Sequence, residues 1–132
     1  MATTAILCVD DENIILESLN EQLINHFGYE YMYETAETAE EGLEIIEELV
    51  KYEIKNIIIV SDWLMPEMKG DEFLIKVHEK YPSFIKIILT GQANENAIKR
   101  AKKYADLFAV IHKPWSEDEL YNTIKSALTK NG

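Results

Sequence analysis

Four stretches of the sequence carry side chains that could perform metal or phosphate chemistry. Each follows an aliphatic run, and together they supply carboxylates, a hydroxyl and an ammonium group: Asp10-Asp11-Glu12, Asp62, Thr90-Gly91 and Lys113-Pro114. Clustered carboxylates repel one another, and a divalent cation would relieve that repulsion. Because the stretches offer oxygen ligands but no His or Cys, the expected ion is a hard one, Mg²⁺ in roughly octahedral coordination. A lysine facing the same ion would pair with a second anion, for which a phosphoryl group is the simplest candidate.

These side chains converge only if the aliphatic runs form one parallel sheet. The predicted strands are Ala5–Val9, Tyr29–Glu34, Asn56–Ser61, Lys86–Thr90 and Leu107–Ile111. Three of them are continuous aliphatic runs, which is typical of parallel strands that are covered on both faces. The second is more polar and alternating, which favours a position near a sheet edge.

Each predicted strand is followed by a segment in which apolar residues recur at helical spacing. The apolar stripes are Ile15-Leu19-Leu23, Leu43-Ile46-Val50, Phe73-Leu74-Val77, Ala97-Ile98-Ala101-Ala105 and Leu120-Ile124-Ala127. Five β-then-α units in succession predict an α/β fold with right-handed crossovers and helices on both faces of the sheet. Ligands of such a sheet bind beyond the carboxyl ends of its strands, which is where the four polar stretches lie.

Acidic residues are concentrated in the first half of the 132-residue chain. Residues 1–55 contain 14 acids and 2 lysines, whereas residues 56–132 contain 10 acids and 11 bases, for a net charge of −11. No basic stripe suited to duplex DNA is visible, and an anionic membrane surface is disfavoured for the same reason. With one cysteine, no signal peptide and no long apolar run, we expect a cytoplasmic protein with one domain over residues 1–132.

The sequence resembles the receiver domain of two-component response regulators. The matching stretches are Val9–Glu12, Ser61–Gly70, Leu89–Gly91 and Lys113–Trp115, which span the chain from its first predicted strand to its last. The resemblance implies a flavodoxin-like (βα)5 fold, with a doubly wound parallel sheet in the strand order 2-1-3-4-5. It also implies a signalling domain that takes a phosphoryl group from a phosphohistidine and switches conformation, and whose only catalysis is its own phosphorylation and slow dephosphorylation.

The resemblance assigns the acidic residues to two roles. Asp62 would be the phosphoacceptor, whose carboxylate attacks the phosphorus and forms an acyl phosphate. Asp11 and Asp62 would bind Mg²⁺ directly, and Asp10 would bind it directly or through water. The backbone carbonyl of Leu64 would complete the protein ligands.

The resemblance also assigns roles to the ends of the fourth and fifth strands. Lys113 would pair with the phosphoryl oxygens, the Lys113–Pro114 peptide would be cis, and Thr90 would hydrogen-bond the phosphoryl group after transfer. The family usually has Tyr or Phe three residues before this lysine as the rotating partner of the threonine, and here Val110 stands there. We therefore expect phosphorylation to move Thr90 and its loop without the usual threonine–aromatic coupling.

The side chain of Leu64 has two possible roles, which are separate from the metal-binding role of its backbone carbonyl. It lies two residues after Asp62 and offers no polar side-chain group to orient a hydrolytic water, which predicts slow self-dephosphorylation. Alternatively, its side chain only packs over the site.

The implied partners are a sensor histidine kinase or a histidine phosphotransfer protein, together with an effector domain or protein. The chain could also form a homodimer. Four basic residues of the predicted fourth helix are either a solvated face or a contact for an acidic partner or a second copy: Lys99, Arg100, Lys102 and Lys103.

Two rival functions fit these residues less well than a receiver domain does. A phosphatase with an Asp nucleophile, of the haloacid dehalogenase type, needs a second Asp where this chain has Leu64. A flavodoxin would have a phosphate loop of Ser, Thr and Gly where this chain has Asp10-Asp11-Glu12. Both are disfavoured. Whether the chain is a stand-alone receiver or a receiver module cut from a larger regulator or hybrid histidine kinase stays open at this point.

Overall fold

The computed structural model describes residues 3–92 and 94–131, in which five strands alternate with five helices. The strands are β1 (Thr4–Val9), β2 (Met32–Ala36), β3 (Asn56–Asp62), β4 (Ile85–Thr90) and β5 (Ala109–His112). The helices are α1 (Asn13–Phe27), α2 (Ala39–Lys51), α3 (Gly70–Lys80), α4 (Glu95–Ala105) and α5 (Glu117–Asn131). All strand pairs are parallel, in the order β2-β1-β3-β4-β5. The α/β fold class and the strand order expected from the sequence are confirmed.

The helices cover both faces of the sheet. One face packs against α1 and α5, and the other packs against α2, α3 and α4. Successive side chains of a strand point to opposite faces, so Ile58 of β3 contacts the first layer whereas Ile57 and Ile59 contact the second. All three are fully buried, which explains why the central strand is a continuous aliphatic run. Within the described part of the chain, no helix is long and apolar enough to span a membrane.

The second strand begins three residues later than its aromatic pattern predicts. The pattern predicts Tyr29–Glu34, but β2 runs over Met32–Ala36. Helix α1 ends at Phe27 and is capped by Gly28, which has φ +69°, and the chain uses the next residues to turn back toward the sheet. The Tyr33 hydroxyl donates to the Gly28 carbonyl at 2.6 Å, which holds the start of the strand against this turn.

The fifth strand is also displaced toward the carboxyl side of its predicted position. The pattern predicts Leu107–Ile111, but β5 runs over Ala109–His112. Helix α4 ends at Ala105 and is capped by Asp106, which has the left-handed conformation with φ 52°. The residues that follow this cap have to cross from the helix to the sheet before they can pair with β4.

Side-chain caps define where three of the helices begin. Thr38 accepts a hydrogen bond from the Glu41 amide at 3.0 Å at the start of α2. Asn94 and Ser116 do the same for α4 and α5, at 2.9 and 3.1 Å. These caps satisfy amide groups that the helix leaves unpaired. They lie at the edge of the sheet formed by the carboxyl ends of the strands, so they position the loops around that edge.

Helix α3 begins in direct contact with the end of β3. The Gly70 amide donates to the Trp63 carbonyl at 2.8 Å. A Cβ atom on Gly70 would collide with the carbonyl oxygen of Asp62 and would lie 2.8 Å from the Cα of Trp63. Only glycine therefore allows the first turn of α3 to approach the Asp62–Trp63 backbone this closely.

We expect Gly70→Ala to lower the free energy of unfolding by about 3 kcal/mol, because the added methyl group forces the start of α3 away from β3. Urea unfolding followed by circular dichroism measures the change. Gly91→Ala is the matched control, since a Cβ there would lie 3.6 Å from that of Lys113, an ordinary contact. Equal stability of the two variants would contradict the packing argument.

Candidate functional site

The carboxyl ends of the strands enclose an open cleft of about 450 Å³. Its lining residues come from the loops after four strands: Asp11, Glu12, Asp62, Leu64, Met65, Pro66, Thr90, Gly91, Gln92 and Lys113. The structure therefore brings the side chains that the sequence placed after β1, β3, β4 and β5 into one cleft.

Three carboxylates lie together at this edge. Asp10, Asp11 and Asp62 each contribute an oxygen, and these oxygens all lie within 4.8 Å of one another. Asp10 and Asp62 are buried, whereas Asp11 is exposed. This donor set fits a hard divalent cation, because it is made only of oxygens and opens into a cleft with room for water ligands. The acidic pocket can therefore hold a metal ion.

Lys113 links two of these carboxylates. Its ammonium group donates to Oδ2 of Asp10 at 2.7 Å and lies 3.5 Å from Oδ1 of Asp62. The other oxygen of Asp10 accepts from the Glu12 amide at 2.8 Å. Burial opposes the charge of Lys113, but its hydrogen bond with Asp10 and its attraction to Asp62 together raise the pKa of the ammonium group above its ordinary value. Lys113 is therefore charged and directed at the acidic cluster.

The surroundings of Asp62 disfavour the ionised form of its carboxyl group. Burial is the largest cause and the charge of Asp10 the next, and together they raise the pKa of its carboxyl from 3.8 to about 6 even though Lys113 offsets part of the effect. Near neutral pH the ionised carboxylate is therefore held at a position that favours an additional positive charge beside it.

Thr90 is the last residue of β4, and its side chain holds the following loop. The hydroxyl donates to the carbonyl of Gln92 at 3.0 Å and accepts from the amide of the same residue at 3.1 Å. Thr90 is buried, with 2% of its surface exposed. The loop after β4 is therefore tied to the hydroxyl that the sequence placed at the site.

The fifth strand places Lys113 beside the cleft and Val110 deeper along the sheet. Val110 pairs in register with Ile88 of β4 and is half-buried. Phe108 packs with the layer formed by α1 and α5, and the ammonium of Lys130 lies 5.5 Å from its ring centroid. Phe108, the nearest aromatic residue before Val110, thus packs against the hydrophobic layer between the sheet and these two helices. The Lys113–Pro114 peptide bond is cis.

A buried acid beside the site, Asp71, is singled out by no sequence pattern. Its carboxylate accepts from the indole of Trp63 at 3.1 Å and from the guanidinium of Arg100 at 2.8 Å. The sequence pattern identifies Asp71 only as an acidic residue in the first turn of a helix, where the helix dipole favours a negative charge. Helical spacing groups Arg100 with Lys99 and two other lysines as a basic surface, but Arg100 is paired within the chain.

Comparisons with known proteins agree with this geometry. The family model described as response regulator receiver domain matches residues 6–125. Among curated proteins, the chain is similar to the hydrogenase transcriptional regulatory protein HoxA of Cupriavidus necator. The two are 28% identical over 127 residues, which cover 96% of this chain and 24% of HoxA. The chain thus spans about a quarter of the length of this relative.

Solved structures give the same result. The response regulator receiver domain protein (CheY-like) from Methanospirillum hungatei superposes with a TM-score of 0.84 at 34% identity, covering 96% of this chain and 94% of that one. The beryllofluoride-activated NtrC4 receiver domain dimer superposes with a TM-score of 0.82 at 30% identity, covering 97% and 98%.

Because folding favours the protonated form of Asp62, the metal-free wild type should lose stability relative to Asp62→Asn as the pH rises from about 4 through about 6. At neutral pH we expect the variant to be more stable by about 1–2 kcal/mol, after allowance for screening by water in the open cleft. Urea unfolding in the presence of a chelator, at acidic and neutral pH, measures the difference. A stability difference that does not change with pH would show that the charge of Asp62 is not the cause.

Proposed function

The chain belongs to the response regulator receiver domain family, and on that premise we propose that Asp62 is the residue that accepts the phosphoryl group from a phosphohistidine. The observation that carries this proposal is the position of its carboxylate. Asp62 ends the central strand β3 at the cleft, with an oxygen 3.5 Å from the ammonium of Lys113 and two further carboxylates beside it. A nucleophile, a cation for the phosphoryl oxygens and an acidic pocket for a metal ion thus meet in one place.

In the proposed transfer, a carboxylate oxygen of Asp62 forms a bond to phosphorus while the bond from phosphorus to the imidazole nitrogen of the donor breaks. The electron pair of that bond stays on the imidazole, and the product is an acyl phosphate on Asp62. Lys113 neutralises charge on the phosphoryl oxygens and holds them in line for attack. Positioning and charge stabilisation of this kind supply most of the catalysis in phosphoryl transfer.

Asp10, Asp11 and Asp62 would hold Mg²⁺, together with the backbone carbonyl of Leu64. Support for this assignment comes from the spacing of the three carboxylates and from the raised pKa of Asp62, which indicates that a neighbouring positive charge is favoured. When bound, the ion would neutralise negative charge on the cluster and on the phosphoryl oxygens. Asp10 is already oriented by the Glu12 amide and by Lys113.

Thr90 is the residue through which a phosphoryl group would move the loop after β4. Its hydroxyl cannot donate to a phosphoryl oxygen while it donates to the carbonyl of Gln92, because a hydroxyl has one proton. Phosphorylation would therefore open this turn. Val110 has no aromatic ring to follow the hydroxyl, so we propose that the movement of the loop does not depend on an aromatic switch at that position.

The proposed phosphodonor is a sensor histidine kinase or a histidine phosphotransfer protein, and the output is contact with an effector domain or protein. A phosphatase remains the weaker alternative. It would need an acid–base group two residues after Asp62, where the aliphatic side chain of Leu64 is 44% exposed. Both a stand-alone receiver and a receiver module of a larger regulator or hybrid histidine kinase fit this proposal, since the chain matches 24% of HoxA and 94% of the Methanospirillum hungatei chain.

Incubation with acetyl phosphate and Mg²⁺ should add one phosphoryl group to the wild type and none to Asp62→Asn, as read by intact mass. A chelator should prevent the gain, and Lys113→Met should slow it by roughly a hundredfold. Asp118→Asn removes an exposed carboxylate on α5 and serves as the control, with an unchanged rate. A phosphoryl group on Asp62→Asn would contradict the assignment.

The acyl phosphate should persist for minutes or longer, because the Leu64 side chain orients no water at the cleft. We expect Leu64→Asn to shorten its half-life roughly tenfold by supplying a polar group to an attacking water. Leu64→Ile is the control, and its half-life should match the wild type. Loss of radiolabelled phosphoryl group after removal of the donor gives the rates. A wild-type half-life of seconds would show that Leu64 does not limit hydrolysis.

A further inference from the structure

Asp71 is a buried carboxylate that the proposed phosphoryl chemistry does not use. It lies in the first turn of α3 with 2% of its surface exposed. Each of its oxygens accepts a hydrogen bond from a different part of the fold. One accepts from Trp63, directly after β3, and the other from Arg100, in the middle of α4. A buried carboxylate is strongly destabilising unless its oxygens have partners. Asp71 therefore constrains the relative positions of the two elements it joins.

The link from Asp71 to the proposed acceptor is short and stiff. Trp63 follows Asp62 directly in the chain, and its carbonyl accepts from the Gly70 amide at 2.8 Å. The close approach at Gly70 leaves no free space between the start of α3 and the Asp62–Trp63 backbone. A displacement of that backbone would therefore be transmitted to the first turn of α3, and so to Asp71.

The link from Asp71 to α4 is a charge-assisted hydrogen bond of 2.8 Å. Bonds of this kind are stronger than bonds between neutral groups. The Arg100 side chain is 54% exposed, whereas that of Asp71 is 4% exposed. Because the exposed arginine is free to move and the buried carboxylate needs its partner, we expect Arg100 to follow Asp71 when Asp71 is displaced. Ala97 and Ala101 form the neighbouring buried face of α4 and contain only small side chains, which allows the helix to lie close to α3.

We propose that Asp71 is a positioning residue that couples the acceptor site to α4 through the bonded chain Trp63–Asp71–Arg100. The inference rests on the proposed role of Asp62, and it adds a route from that residue to an exposed helix that does not pass through Thr90 or β5. When a metal ion and a phosphoryl group occupy the acceptor site, α4 shifts with α3. The surface that carries Lys99, Lys102 and Lys103 shifts with α4.

The test compares amide chemical shifts of ¹⁵N-labelled protein before and after addition of Mg²⁺ and beryllofluoride, which mimics a phosphoryl group on a carboxylate. In the wild type we expect shifts at Asp62 and Thr90 and also over residues 99–105 of α4. In Asp71→Asn the shifts at the site should remain, while those over residues 99–105 should fall roughly twofold or more, the size expected for coupling energies of this kind. The Trp63 indole resonance should move in this variant even without the mimic.

Two further variants separate coupling from loss of charge or stability. Glu72→Gln removes a charge from the adjacent exposed position of α3 and should leave the response of α4 unchanged. Arg100→Gln removes the charge at the exposed end of this chain of hydrogen bonds but keeps an amide that can donate to the buried carboxylate, so it should fold and should show the same reduced response as Asp71→Asn. The double variant Asp71→Asn/Arg100→Gln should show no greater reduction than either single variant, because both interrupt one path.

Each outcome of this experiment decides one of the two proposals. A full response of α4 in Arg100→Gln, with the site responding as in the wild type, would overturn the coupling while leaving the role of Asp62 intact. A wild type in which α4 does not respond at all would do the same. A wild type in which Asp62 and Thr90 themselves do not respond would overturn the proposed function, and the coupling would fall with it.

Discussion

The mutual repulsion of carboxylates at the ends of neighbouring strands is the constraint on which the rest of the site depends. Asp10 follows β1 and Asp62 ends β3, and β1 pairs with β3 over its whole length, up to the pair Val9–Ser61. The carboxylates cannot separate without disrupting the centre of the sheet. Lys113 offsets part of the charge and the pKa of Asp62 is still raised. The end of the sheet therefore carries an excess of negative charge, which a bound metal ion would offset.

The two parts of the molecule around this cluster differ in how easily they can rearrange. The three central strands, β1, β3 and β4, are buried on both faces, and interiors of this kind resist small displacements. The loops are held instead by a few polar contacts, such as the two hydrogen bonds of Thr90 with Gln92. Neutral hydrogen bonds of this type can be exchanged for others at small net free energy. Under the proposed function, changes at Asp62 would therefore be transmitted through the loops and the helices attached to them, while the sheet would hold Asp62 in place.

Most of the fold could be predicted from the sequence. The aliphatic runs and the repeated β-then-α units predicted a parallel sheet with helices on both faces, and the resemblance to receiver domains implied its strand order. The first residues of β2 and β5 could not be predicted, because they depend on how the preceding helix ends. Helix α1 is capped by Gly28 and helix α4 by Asp106. The convergence of Asp62, Thr90 and Lys113 on one cleft followed from their places after successive strands, and the cleft confirms it.

The sequence by itself determined which side chains reach the carboxyl edge of the sheet, because position after a strand is a local property and parallel strands share one edge. Only the tertiary structure decided how those side chains pair and which other residues join them. Arg100 has the same local pattern as the lysines around it, and Asp71 has that of any acid in the first turn of a helix. Their bond joins residues 29 positions apart. It exists because α3 and α4 pack side by side, and no local pattern encodes that packing.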